Sequence, residues 1–169
     1  MSSPADLDRA LEQIRFARSY TTELLSDIPH ERWFEMPAGS ATHIAWQVGH
    51  LAGAQYFLGL ARVRGVQPAD EQLISKSFRQ PFGRGSVPAP DPAAYPPAAE
   101  IRAIFDRVDA QVLADLPHID PASLDEPCEH PHRFANTRLR SLLWCSQHEL
   151  VHAGQIGLLR RLLGQAPQW

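Results

Sequence analysis

His148 and His152 stand four residues apart in Trp144-Cys145-Ser146-Gln147-His148-Glu149-Leu150-Val151-His152. On an α-helix that spacing puts both imidazoles on one face, one turn above the other. Two neutral imidazoles so placed can grip one transition-metal ion. The spacing alone does not make a site. With eight His in 169 residues, chance supplies roughly 0.4 such pairs per chain, so a third ligand must decide the matter.

His50 is the candidate third ligand. It lies in Ile44-Ala45-Trp46-Gln47-Val48-Gly49-His50-Leu51-Ala52-Gly53-Ala54, a stretch without Asp, Glu, Lys or Arg. A buried imidazole left without a partner costs about 1–3 kcal/mol, so a His here needs a reason. Metal ligation is one reason, and a hydrogen-bonded core His is the competing one. Three His ligands leave one or two coordination positions open, the pattern of a catalytic or ligand-exchanging site. Imidazole ligation suits zinc, nickel, copper or iron, with zinc the default.

His148-Glu149-Leu150-Val151-His152 also reads literally as H-E-x-x-H, in which the Glu is the base of a metalloprotease. That reading needs a third ligand farther along the chain. No His and no acidic residue follows His152, which disfavours a protease and leaves Glu149 without that role.

Four helices must position these residues. Leu7, Leu11, Ile14, Thr21 and Leu25 keep helical spacing over about 4–27, with Ser3 as N-cap and Pro4 at N1. A second, largely uncharged helix is expected over about 40–64, capped by Ser40 and stopped by Gly65. Residues 66–96 form a long Pro-rich connection with a short helix near 70–75. A third helix starts at Pro97 with the stripe Ile101, Ile104, Phe105, Val108, Val112 and Leu116, and Pro117 closes it. Residues 118–136 form a second Pro-rich connection. The fourth helix runs from about Thr137 to Leu163, with Gly164 at C′. The expected fold is all-α: a four-helix bundle with a long connection between helices two and three, and no strand.

Composition narrows the function classes. Apolar residues make up 44% and charged residues 21% of a chain that carries a formal net charge of −3, ordinary values for one soluble domain. Arg residues are scattered, so no nucleic-acid footprint stands out. No segment approaches the length of a membrane span, and the N-terminus lacks the basic start and apolar run of a signal peptide. A cytoplasmic protein is expected. Cys128 and Cys145 make no disulfide framework.

The segments around these histidines resemble a known family. Ala45-Trp46-Gln47-Val48-Gly49-His50-Leu51-Ala52 is similar to the second-helix signature of the DinB/YfiT-like proteins. His148 through Ile156, with Gly154-Gln155 behind the His pair and a Leu/Arg-rich end closing in Gly164, resembles their C-terminal helix. The matching motifs cover about a quarter of the chain. The resemblance implies a bundle that binds one divalent metal, zinc or nickel, through His50, His148 and His152. It also implies transferase or isomerase chemistry with a low-molecular-weight thiol such as bacillithiol or mycothiol, a small-molecule substrate and a homodimer. Metal-binding relatives without catalysis form the alternative, a stress-response bundle, and a plain helical interaction domain is the third reading.

Several neighbours carry secondary expectations. Gln155, seven residues after His148, returns to nearly the same face and is placed to orient a ligating imidazole or a water. Trp46 and Trp144 each precede a proposed ligand by four residues, with core packing ahead of a wall to the pocket. His43 is expected to cap a helix or lie at the surface, and Gly154 to permit close helix packing. Cys145 reads as a buried thiol, and Cys128, Glu129, His130 and His132 as a solvated loop, ahead of second-site or pocket roles.

Overall fold

A computed structural model describes residues 1–168. α1 (Pro4–Leu25) starts as expected, with Ser3 and Asp6 closing a reciprocal capping box. α2 (Ile44–Gln55) runs without a break into a π-helical segment, Tyr56–Ala61, and then a last turn, α3 (Arg62–Arg64). Two single-turn helices, α4 (Asp70–Leu73) and α5 (Lys76–Arg79), occupy the first long connection. α6 (Ala98–Asp115) follows it, and α7 (Arg138–Leu162) ends the helical set with Gly164 at φ +81°. At about 1.5 Å per residue α7 is roughly 37 Å long.

α1 lies along α7, and α2 packs against both α6 and α7. The four long segments share one apolar core, with Ile14, Val48, Leu51, Phe105, Val112 and Ile156 among its fully buried members. The chain is therefore all-α in its main architecture. No described helix is long and apolar enough to cross a membrane.

Two local expectations are corrected. Helix two begins four residues later than Ser40, because His43 takes the cap: its Nδ1 accepts from the Trp46 amide at 3.1 Å. Ser40 spends its hydroxyl on Thr42 in a turn instead. The second connection is not strandless. β1 (Pro127–His132) pairs antiparallel with β2 (Ala135–Thr137), irregularly in register. Proline fits there because both strands of a two-stranded hairpin are edges, so a missing N–H can face away from the ladder. β2 feeds straight into Thr137, whose hydroxyl caps α7 by accepting from the Arg140 amide. The hairpin is thus tied to the helix that carries two of the three histidines.

Candidate metal centre

α2 supplies His50, and α7 supplies His148 and His152. One potential ligand nitrogen from each lies within 4.8 Å of the others, close enough to share a single ion. The ring centroids are 4.5 Å apart for His148 and His152, 4.7 Å for His50 and His152, and 5.3 Å for His50 and His148. This is the only such group of three His, Cys, Asp or Glu among the described residues. Cys145 does not join it. That thiol is buried, and burial pushes it far above its ordinary range.

The surroundings fix which nitrogen is free on two of the three rings. His50 Nδ1 lies 2.8 Å from the Phe82 carbonyl oxygen, which can only accept. Nδ1 must therefore carry the proton, and Nε2 keeps its lone pair. Phe82 can come so close because residue 49 is glycine. A Cβ on Gly49 would sit 2.5 Å from the Phe82 ring. The close approach at Gly49 is thus made by a ring from the connection.

His152 is held by a residue that sequence reading passed over. Its Nδ1 is 2.6 Å from Gln47 Oε1. Gln47 is almost wholly buried, and its amide Nε2 donates to Thr42 Oγ1 at 3.0 Å and to Gln155 Oε1 at 2.9 Å. With both amide protons committed, Oε1 faces the imidazole and accepts its Nδ1–H, again leaving Nε2 free. Gln155 therefore makes its hydrogen bond to Gln47 and not to a histidine, and acts through Gln47. A signal for Gln47 was present: it is a polar residue in the same uncharged run that made His50 conspicuous. Gln47→Leu is expected to weaken metal affinity about 10–100-fold, the usual effect of losing such an outer partner, with Gln155→Leu milder. Chelator-competition titration of both variants measures this, and an unchanged Gln47→Leu affinity would remove Gln47 from the site.

His148 differs from the other two. Its Nδ1 is buried and has no hydrogen-bond partner among the described residues. A fully hydrogen-bonded core His would leave no such orphan; His43 Nε2, outside the triad, is another, so the convergence of the three rings is what singles out His148. The donor set therefore fits a divalent transition ion: three neutral imidazoles, two with fixed tautomers, and no carboxylate.

Trp46 lies flat against His50, with centroids 4.9 Å apart and planes 6° apart, and Trp144 meets His148 edge-on at 6.0 Å. Both tryptophans therefore wall the site as well as packing. His43 keeps its cap role, between Phe34 and Tyr95. Gly154 is exposed, and a Cβ there would meet nothing within 4 Å, so it does not serve close packing.

Glu149 points the other way. Its carboxylate meets Arg18 on the core side, with Oε2 accepting from an Arg18 NH2 group at 3.1 Å and Oε1 2.9 Å from Nε at a poor hydrogen-bond angle. The H-E-x-x-H pattern thus lacks its base at the site.

The family model of the DinB superfamily matches residues 13–156. The chain belongs to the DinB superfamily. No curated protein matches it significantly. The matched span includes all three histidines, Gln47 and Gln155.

In this DinB-superfamily chain two members of the triad border a cavity of about 760 Å³, while His152 lies behind them. His50 and His148 lie in its lining, with Phe57, Phe134 and Trp144 as aromatic walls. His132, placed by sequence in a solvated loop, lines it too and stacks at 6.5 Å on Trp144. His130 and Glu129 line a separate crevice.

Burial holds the histidines neutral. It lowers His50, and with the neighbouring imidazoles it brings His148 down to about 4 and His152 to about 3. Metal ligation by His148 and His152 should therefore release almost no protons at pH 6. A pair of ordinary imidazoles near pKa 6.5 would release between one and two. Calorimetry in buffers of different ionisation enthalpy counts them, and release of a full proton or more would contradict the depressed values. The sign for stability follows from the same depression. The unfolded chain takes up protons below about pH 6.5 while the folded rings refuse them until about 4 and about 3, so the metal-free fold loses stability as pH falls through that window.

Proposed function

We propose that this chain is a metal-dependent enzyme in which His50, His148 and His152 hold one divalent ion, zinc or nickel, and that it transfers or isomerises a small molecule with the help of a low-molecular-weight thiol. The observation that carries the reading is the triad itself: three converging imidazoles, a free Nε2 on His50 and on His152, and an open cavity on one side. A bound divalent ion supplies Lewis acidity, which lowers the pKa of a thiol or water and favours the nucleophilic form.

The protein's own residues do the rest. Phe82 and Gln47 hold two ring tautomers, so these imidazoles need no reorganisation when they bind. Trp46 and Trp144 limit the approach of water to one side. No carboxylate lines the cavity, and His132 is the lining side chain outside the triad that could serve as a general base.

Protein purified without chelator or nickel resin should contain about one metal ion per chain by elemental analysis. It should consume a haloarene electrophile only when both metal and a thiol are present, at least about tenfold above the thiol alone. Metal without thiol-dependent turnover of any electrophile would favour the non-catalytic metal-binding bundle. Absence of metal, and of any affinity for zinc or nickel, would end both readings.

A further inference from the structure

Three arginines from distant parts of the chain line the cavity beside His50 and His148. Arg62 opens α3, directly after the π-helical segment. Arg84 follows Phe82, the residue that holds His50, by two positions. Arg133 sits between the two strands of the hairpin, its guanidinium 4.3 Å above the Phe134 ring. No Asp or Glu lines the cavity.

None of the three has an ion-pair partner among the described residues. Five others, Arg15, Arg79, Arg107, Arg140 and Arg161, also form no ion pair among the described residues, so it is the shared cavity that sets these three apart. Arg18 is paired with Glu149, Arg64 with Asp70 and Asp115, and Arg160 with Asp27. Arg62 also borders the crevice that holds Glu129, yet the two form no ion pair. The chain has 19 acidic residues against 16 basic ones, so a wall with three arginines and no acid is a local arrangement, not a reflection of composition.

The three guanidinium groups act on one place. His132, on the cavity wall, is held below its ordinary value by burial and then by Arg62, Arg84 and Arg133 together. A cleft lined by one sign of charge concentrates counter-ions. Guanidinium groups are suited to carboxylate and phosphate oxygens.

We infer that the cavity takes an anionic small molecule, its carboxylate or phosphate oxygens held by Arg62, Arg84 and Arg133 and its uncharged body lying against Phe57, Phe134 and Trp144. The inference rests on the proposed function for where the reacting atom sits, beside His50 and His148. The anion-binding half needs no metal. It deepens that reading by naming a substrate class: a neutral thiol with a neutral electrophile would leave all three charges unused.

Calorimetric titration of the metal-free protein with phenylacetate, phenyl phosphate and the neutral phenylacetamide tests this without any activity assay. At about 50 mM ionic strength, at least one anion should bind about tenfold or more tighter than phenylacetamide. The preference should shrink at about 0.5 M salt and fall to under about twofold in Arg84→Gln/Arg133→Gln, whose side chains are at the surface. Arg62→Gln should lower it on its own. Equal binding of anions and phenylacetamide, or a preference that survives the double substitution, would overturn the inference. Metal analysis of the same samples keeps the two readings apart. Metal bound through the histidines with no anion preference sinks only this inference, whereas an anion preference in protein without metal affinity sinks only the proposed function.

Discussion

Replacing His152 with alanine is expected to strip the metal from the protein. Apparent zinc affinities of about 10–16 kcal/mol in four-ligand peptides correspond to about 3–4 kcal/mol per ligand, or roughly 10²–10³-fold for each one lost. His152 should lie at the upper end. Its removal leaves Gln47 Oε1 without its donor at the bottom of the site, so an ordered outer partner is lost with the ligand. His50→Ala and His148→Ala should fall in the same range. His130→Ala is the control, because His130 lines a different crevice and should keep full affinity. Chelator competition with zinc measures all four. Full affinity in any of the three triad variants would break the three-ligand arrangement.

The triad was legible in sequence because each signal was local. A four-residue spacing places His148 beside His152, and a polar ring in an uncharged helix marks His50. What was not legible lies in contacts between distant segments. The Phe82 carbonyl that sets the His50 tautomer comes from a Pro/Gly-rich connection with no periodicity. Gln47 was visible as an oddity, but its partner sits 105 positions away. The hairpin was missed because Pro127 and Pro131 read as breakers, while its strands owe their place to pairing with each other and to Ala135 buried against the core. The four long helical segments were legible as segments, since amphipathic spacing is a property of each, while the cap of the second and its π segment were not.

Arg18→Ala is expected to cost the fold about 3–5 kcal/mol, the penalty for leaving one partner of a buried ion pair alone. The guanidinium is 3.3 Å above the Phe105 ring and donates to the Phe105 carbonyl at 2.9 Å and to Gln55. Gln55 in turn donates to Asp109 at 2.7 Å. Removing Arg18 therefore strands the Glu149 carboxylate and the Gln55 amide oxygen at once. Burial already pushes the Glu149 carboxyl up, and losing Arg18 would push it further, so in the variant it should take up a proton more readily and limit the damage. Arg18→Met/Glu149→Leu should recover most of the loss, because an apolar pair of similar volume removes both charges. Urea unfolding of the metal-free proteins reads the difference. A loss under about 1 kcal/mol for Arg18→Ala would show the pair to be weakly desolvated. The larger loss expected would identify the Glu of the H-E-x-x-H pattern by what it does to folding rather than to catalysis.

The π-helical segment Tyr56–Ala61 sets the phase of everything after it. In an uninterrupted α-helix, residues twelve apart differ by about 120° around the axis, so Arg62 would face away from His50. A π segment accommodates about one extra residue and turns the downstream chain back by about 100°. That correction brings Arg62 to the same side as His50, and both line the one cavity. A single helix thus carries two rotational frames, one for the imidazole and one for the guanidinium. Regularising this segment to plain α-helix without removing a residue would turn Arg62 about 120° away from His50 and take its positive charge out of the cavity.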